Sequence, residues 1–525
     1  MVVVRSLNGG LNEGLPSPNL KFIDLKRRQH EAKEHQRIEL QGHGKPIVSF
    51  EDNGVRFVAV KNKLYRSDRW KTFIDFLLAY LRSTLSEEWL KAESEKIAVA
   101  RHPIITWFEI LKKFTSEQST SLVGEVYSAE PNGAFKSLIS LAYDLYLCEH
   151  NWQLPASLLK RLKNIQGFEG ALYETYVIGC FAKAGFEIEF EDESKGERSY
   201  CEFVATHTAT GRKFSVEAKA IKGMPKNGDS SKPKVHRKIS KALKKDAAHD
   251  RIVFIELSQP DELDQYGQPG WAGSVLADVA RAEEQGAADL PVGFLFFTNR
   301  PFVHDPHLTP ALESLAPIGF KIPDFPYGRG GQILRDALAS REREKEVYAL
   351  LTAIKTHTNI PSSFDETHLE ELGIPSDTVR LMVGGTYLVP NRSGQLIPGT
   401  LKSAIVNENE KLVYGVYELE GGDNIIYTTP ISDAELRLYR RSPETFFGVL
   451  EQPNRQIHSP MDAYDFFWES YSNSTKEYLL TQLKEADDFE CLKKLPVGEL
   501  AKEYCVRMAE ALWRDRLVNE QKSPK

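Results

Sequence analysis

Two segments, "RIVFIEL" (251–257) and "PVGFLFFTN" (291–299), are apolar at nearly every position rather than at every second one. A strand with one wet face alternates, whereas a strand that is apolar throughout must be covered on both sides. These runs demand a sheet with helices on each face. The neighbouring pattern supplies them: a helical stretch "GALYETYVIGCFAKAG" stopped by Gly185, the strand "FEIEFED", a hairpin over 201–220, a basic segment, and the helical "WAGSVLADVARAEEQG". Residues 161–330 are therefore expected to form an α/β domain around a mixed sheet flanked by helices.

The remaining residues need other cores, since 525 residues are too many for one. "PIVSFEDNGVRFVAVKNKLYRS" (46–67) reads as a β-meander whose first turn is Asn53-Gly54. Between Trp70 and Arg161, three segments repeat apolar residues at helical spacing, and "DLKRRQHEAKEHQRIEL" before the meander reads as a short exposed helix. Residues 1–160 are accordingly assigned to a mostly helical N-terminal domain. Residues 331–525 are assigned to a C-terminal α+β domain. It opens with a long helix over roughly 331–356, then a linker with a short helix. Strands follow at "GTYLVPN", "KLVYGVYELEGG" and "NIIYTTPIS", and two helices close the chain. The fold class is α/β within an α+β multidomain chain.

Composition excludes several classes of protein. The net charge of −7 means that any nucleic-acid contact must come from a local basic patch. Five scattered cysteines without a C-x-x-C pair argue against a zinc site or a disulfide framework, and fit a reducing cytosol. The first residues carry too short an apolar run for a signal peptide, and no stretch of about 18 apolar residues could span a bilayer. A cytoplasmic protein without membrane contact is expected. "QGHGKP" (41–46) lacks the first glycine of a phosphate loop and places Pro46 where a hydroxyl should bind Mg²⁺; G-x-S-x-G and H-E-x-x-H do not occur.

The hairpin "CEFVATHTATGRKFSVEAKA" (201–220) carries the chemistry. Phe214, Val216, Ala218 and Ala220 alternate with Ser215, Glu217 and Lys219, placing the glutamate and the lysine on one face. A two-residue turn at Thr210-Gly211 would set Glu202 opposite Lys219, with Glu217 one diagonal step from Glu202. Two carboxylates so close repel unless a divalent cation lies between them; Mg²⁺ takes one or two carboxylates plus water and phosphate oxygens. A lysine beside it can orient the attacking water and stabilise charge developing on phosphorus. The competing reading is a solvated face with a cross-strand ion pair worth about 1 kcal/mol or less. Glu174, at the edge of an apolar helix stripe, is the candidate third acid, with Glu169 as the alternative if the helix begins sooner. From Lys219 to Lys245 there are ten Lys and Arg against one acid. That stretch is expected to be a loop followed by a helix from about His236, with Ile239, Ala242 and Leu243 inward. Lys222, Lys232, Lys234, Arg237, Lys238 and Lys241 are the candidate phosphate contacts.

A glutamate on a helix, an acid on a following strand and E-x-K on the next resembles the PD-(D/E)xK nuclease superfamily. The flow "ALYETYVIGCFAKAGFEIEF…CEFVA…FSVEAKA" is similar to Mrr-type restriction nucleases and archaeal-type Holliday-junction resolvases. The resemblance covers about 165–300. It implies a restriction-endonuclease-like domain in which Glu202 and Glu217 bind Mg²⁺ (Mn²⁺ substituting), Lys219 assists the water and Glu174 supports the metal site. Glu202 departs from the superfamily's usual aspartate. The expectation is a metal-dependent endonuclease cutting DNA, dimeric by analogy, serving restriction or antiphage defence with a partner protein from the same operon. The alternatives are a non-catalytic nucleic-acid-binding or scaffold protein with the same fold, and an RNA-cleaving nuclease.

Overall fold

A computed structural model of the chain describes residues 34, 37–38, 40–117, 122–123, 126–127, 130–190, 201–221, 235–260, 270–285, 290–322, 324–326, 334–362, 364, 381, 383–390, 396–419, 422–431, 433–441, 446–447, 457, 459–472 and 474–522. The meander forms as β1 (Val48–Asp52), β2 (Val55–Val60) and β3 (Lys63–Ser67). Asn53 and Gly54 have φ of 50° and 78°, the two positive values its first two-residue turn requires. Helices α1 (Phe73–Leu85), α2 (Glu87–Ser94), α3 (Pro103–Glu117), α4 (Gly133–Asn151) and α5 (Ala156–Leu162) follow, with a short hairpin β4 (Leu122–Val123) and β5 (Val126–Tyr127) before α4. The expected helix before the meander lies largely outside the described residues.

The central sheet has six strands: β6 (Phe186–Phe190), β7 (Phe203–His207), β8 (Lys213–Ala220), β9 (Asp250–Glu256), β10 (Gly293–Asn299) and β11 (Ser314–Phe320). Their order is β11-β10-β9-β8-β7-β6. β6, β7 and β8 are antiparallel, β8, β9 and β10 parallel, and β11 returns antiparallel, so the sheet is mixed. α6 (Phe168–Lys183) precedes β6, and Gly185, at φ 77°, turns the chain out of it. α7 (Val235–Leu243) and α8 (Ala272–Gln285) make the two parallel crossovers. β11, "SLAPIGF", has no strand signal in its sequence because it contains a proline and a glycine, tolerated here at the sheet edge.

The period of two divides the central strands between two cores. Phe203, Phe214, Val216, Phe254 and Phe296 face α6, in one cluster that continues through α4, α3 and α1 to Val58 and Val60 of the meander. Residues on both sides of position 160 thus share a core. Val253, Ile255, Leu295 and Phe297 face the other way, onto Val235, Ile239, Ala242 and Leu243 of α7 and Val275 and Val279 of α8. This two-sided cover is what the all-apolar runs required. α6 is sandwiched between the sheet and α4, where a Cβ on Gly179 would lie 2.2 Å from Asp144 Oδ1.

The C-terminal region begins with two helices rather than one, α9 (Leu334–Arg343) and α10 (Lys345–Thr356). The break falls at Glu344, whose carboxylate lies 2.9 Å from Arg212 Nη2 on the β7–β8 hairpin and 3.3 Å from Arg343 Nε. A tertiary ion pair thus sits at the break. A four-stranded antiparallel sheet follows, β12 (Thr386–Pro390), β13 (Leu396–Asn407), β14 (Leu412–Leu419) and β15 (Asn424–Pro430). β13 was not anticipated because Pro398 and Gly399 interrupt its pattern. α11 (Asp433–Arg441), α12 (Pro460–Tyr471), α13 (Lys476–Gln482), α14 (Phe489–Leu492) and α15 (Val497–Lys522) complete the chain. The short helix expected near 365–376 lies outside the described residues. Among the described residues no helix is long and apolar enough to cross a membrane.

Candidate active site

The β7–β8 hairpin forms, but not through a two-residue turn. His207 N–H donates to Arg212 O at 2.9 Å and Gly211 N–H to His207 O at 2.8 Å, so residues 208–211 form a four-residue loop. A tight turn of the expected type needs positive φ at both central residues. Gly211 adopts it, at 71°, but Thr210, β-branched, does not. The register is therefore Phe203↔Val216. Glu202, just before β7, donates its N–H to Val216 O at 2.9 Å and lies beside Glu217 instead of opposite Lys219. A shift of two positions preserves the face, so the predicted convergence survives with a different pairing.

Four charged side chains meet there. Lys219 Nζ contacts Glu217 Oε1 and lies 3.5 Å from Glu202 Oε1. The fourth member is Lys245, two residues beyond α7: its Nζ is 2.8 Å from Glu217 Oε1 and 3.7 Å from Glu202 Oε1. Lys245 belongs to the basic run of 219–245, and its position in that run alone gives it no role. The available signal was the crossover itself, since a helix joining parallel β8 to β9 brings its C-terminal end back over the sheet face it covers.

Glu217 is 1% exposed, against 19% for the Glu202 side chain. Burial pushes the Glu217 pKa up, the neighbouring Glu202 adds to the rise, and Lys219 and Lys245 oppose it. Burial works against the Lys245 ammonium, yet Glu217 and Glu202 together hold its pKa above the usual value. The adjoining Cys201 thiol is pushed up to about 12, chiefly by burial and then by Glu217, which makes it inert as a nucleophile. The two ammonium groups both approach Glu217 Oε1, and the buried Oε2 has no hydrogen-bond partner.

Glu174 is not brought to this cluster. It sits on α6, which packs against the opposite face of the sheet, and Arg161 of α5 holds both its oxygens, at 2.8 and 3.0 Å. Glu169 is on that same helix, with its Oε1 4.0 Å from His304 Nδ1. Both acids were placed by helix periodicity, which does not say over which face of a sheet the helix will lie. Of the candidate phosphate contacts, Lys222, Lys232 and Lys234 lie outside the described residues. Arg237 and Lys241 are exposed on α7, while Lys238 turns inward and donates from Nζ to Ala220 O at 2.8 Å. Lys238 thus pins the end of the strand that carries Glu217 and Lys219.

Among the described residues no group of three or more His, Cys, Asp or Glu is placed to hold a metal ion. Mg²⁺ asks for less, one or two carboxylates completed by water and phosphate oxygens. Glu202 and Glu217 make such a pair, and the buried, unsatisfied Glu217 Oε2 is a ligand atom left unspent. The donor set fits Mg²⁺ or Mn²⁺.

A second buried charge cluster lies on the other face, at the carboxyl ends of the parallel strands. Glu256 Oε1 accepts from Arg300 N–H at 2.8 Å; its Oε2 accepts from Thr298 Oγ1 at 2.7 Å and Arg300 Nε at 3.3 Å. Tyr173 Oη is 2.8 Å from Thr298 Oγ1, and the Arg300 guanidinium lies 4.1 Å over the Tyr176 ring. Ser258, beside this cluster, bonds Ile221 O and His304 Nε2, but Gln259 N–H is already committed to Asn299 Oδ1 at 2.7 Å. The backbone donor following the serine is therefore unavailable to an oxyanion, which argues against a serine nucleophile. No protein-family model matches this chain, and no curated protein and no solved structure matches it.

Proposed function

We propose that the chain is a metal-dependent nuclease of the restriction-endonuclease-like type, with DNA as its substrate. The observation that carries this reading is the buried Glu217, paired with Glu202 and Lys219 on one sheet face and left with an unsatisfied carboxylate oxygen. The order of elements supports it: α6, three antiparallel strands, then α7 crossing to a parallel strand, with the acid just before the second strand and the E-x-K on the third. Glu202 and Glu217 would hold Mg²⁺, which when bound lowers the pKa of water and offsets charge on the phosphate. Lys219 places an ammonium beside both carboxylates, where it orients water and stabilises developing negative charge. Arg237 and Lys241, exposed on the adjoining helix, would hold the phosphate backbone. A dimer, and a role in restriction or antiphage defence, extend this reading by analogy.

A supercoiled-plasmid assay in Mg²⁺ or Mn²⁺ tests it, with matched RNA digested in parallel. Wild type should nick or linearise DNA, and Glu217→Ala and Lys219→Ala should each lose roughly 10²-fold or more while remaining folded. Equal nicking by all three proteins would overturn the assignment. Preferential loss of the RNA would move the substrate to RNA. A second reading, a non-catalytic DNA-binding protein, draws on the pairing of both carboxylates with lysines; DNA binding without cleavage by folded wild type would select it.

A further inference from the structure

The cluster on the α7 side of the sheet is electrically balanced: two carboxylates, Glu202 and Glu217, against two ammonium groups, Lys219 and Lys245. A divalent cation added to that set leaves an excess of two positive charges around a carboxylate that is 1% exposed. Like charges packed so closely repel, and one ammonium must give way.

The two lysines are not held alike. Lys219 belongs to the ladder of β8, in register with Ile255 of β9. Lys245 lies in the connection between α7 and β9, outside any strand or helix. Its backbone is fixed, the N–H donating to Ala242 O at 3.2 Å and the carbonyl accepting from Arg251 Nη2 at 3.4 Å. Its ammonium lies 2.8 Å from Glu217 Oε1 and 3.7 Å from Glu202 Oε1, farther from each than the Lys219 ammonium, at the end of a four-carbon stem.

We infer that Lys245 is a built-in counter-ion that competes with a divalent cation for Glu217 and Glu202, so that cation binding requires its displacement. This rests on the metal-site reading above. Lys245 thereby sets the cation concentration at which the site fills, and it positions the carboxylates in the meantime. It also relieves the repulsion between two glutamates that would otherwise face each other unscreened.

Mn²⁺ binding to the full chain, without nucleic acid, tests this by titration calorimetry and by the electron paramagnetic resonance signal of free Mn²⁺. Lys245→Met and Lys245→Gln remove the charge while keeping much of the stem, and each should bind Mn²⁺ about tenfold more tightly than wild type. Lys245→Arg keeps the charge and should bind no more tightly than wild type. Circular dichroism establishes that each variant is folded. Unchanged or weaker Mn²⁺ binding by both neutral variants, with clear binding by wild type, overturns the inference and leaves the metal site standing. No binding by wild type or any variant overturns the metal-site reading and this inference with it.

Discussion

The two faces of the central sheet each bury a glutamate among cations, and the two are built differently. On the α6 face, Glu256 has every oxygen hydrogen-bonded, by a backbone N–H, a hydroxyl and an arginine that itself lies over an aromatic ring. On the α7 face, Glu217 meets two lysines as point charges, has a second glutamate beside it, and keeps one oxygen without a partner. Arginine's planar fork suits permanent satisfaction of a carboxylate, whereas lysine's single charge can be exchanged. A fully satisfied pair is what a structural ion pair needs. An unsatisfied one costs stability and persists where something else is to be bound. The contrast separates a cluster satisfied within the fold from one left with an unspent carboxylate oxygen.

Removing a cation should sharpen the contrast most. Arg300→Met leaves Glu256 buried and uncompensated and should cost about 3–5 kcal/mol in urea unfolding. Lys219→Met, with Lys245 still on Glu217, should cost less than this, because a second cation still compensates the buried carboxylate. Equal losses would erase the distinction between the faces.

The next largest effect concerns pH. Because burial raises the Glu217 pKa in the folded chain, the native state binds this proton more tightly than the unfolded state does. Its contribution to stability is then present below the ordinary glutamate range and is lost as pH rises toward the raised value. Glu217→Gln should therefore gain stability relative to wild type on going from pH 4 to pH 8. Urea melts of each protein across that range provide the check, and a wild type that gains on Glu217→Gln as pH rises would refute the sign.

The smallest effect separates two neighbours on α7. Arg237→Ala should weaken DNA binding and reduce the salt slope of the affinity by about 1, since it removes one exposed phosphate contact. Lys238→Ala, whose ammonium is spent on Ala220 O, should leave the slope unchanged. Fluorescence anisotropy at several salt concentrations distinguishes them; identical slopes would return Lys238 to the binding surface.

Much of the site could be read from residue order, for a definite reason. Alternation places Glu217 and Lys219 on one face whatever the strand's neighbours are, and the doubly apolar β9 and β10 could only be central strands. The inward set Ile239, Ala242 and Leu243 on α7 followed from helical spacing in the same way. The failures share a cause too. Glu174 was aligned with the strand acids although its helix covers the opposite face, and the hairpin register followed a turn that Thr210 cannot make. Lys245 went unassigned because its place depends on where a crossover helix ends.

What the order of residues determined by itself is whatever depends on an unbroken local period: the strands and helices other than β11, β13 and the break at Glu344, which side chains share a face, and that the sheet must be covered twice. What only the tertiary structure decided is which faces meet: Glu202 beside Glu217, Lys245 returning over both, Glu174 drawn away to Arg161, and Glu344 at the helix break paired with Arg212. Side-chain periodicity is set by backbone geometry within a few residues. Pairings between distant elements are settled by turn conformation, by helix placement and by competition among charges for the same partner.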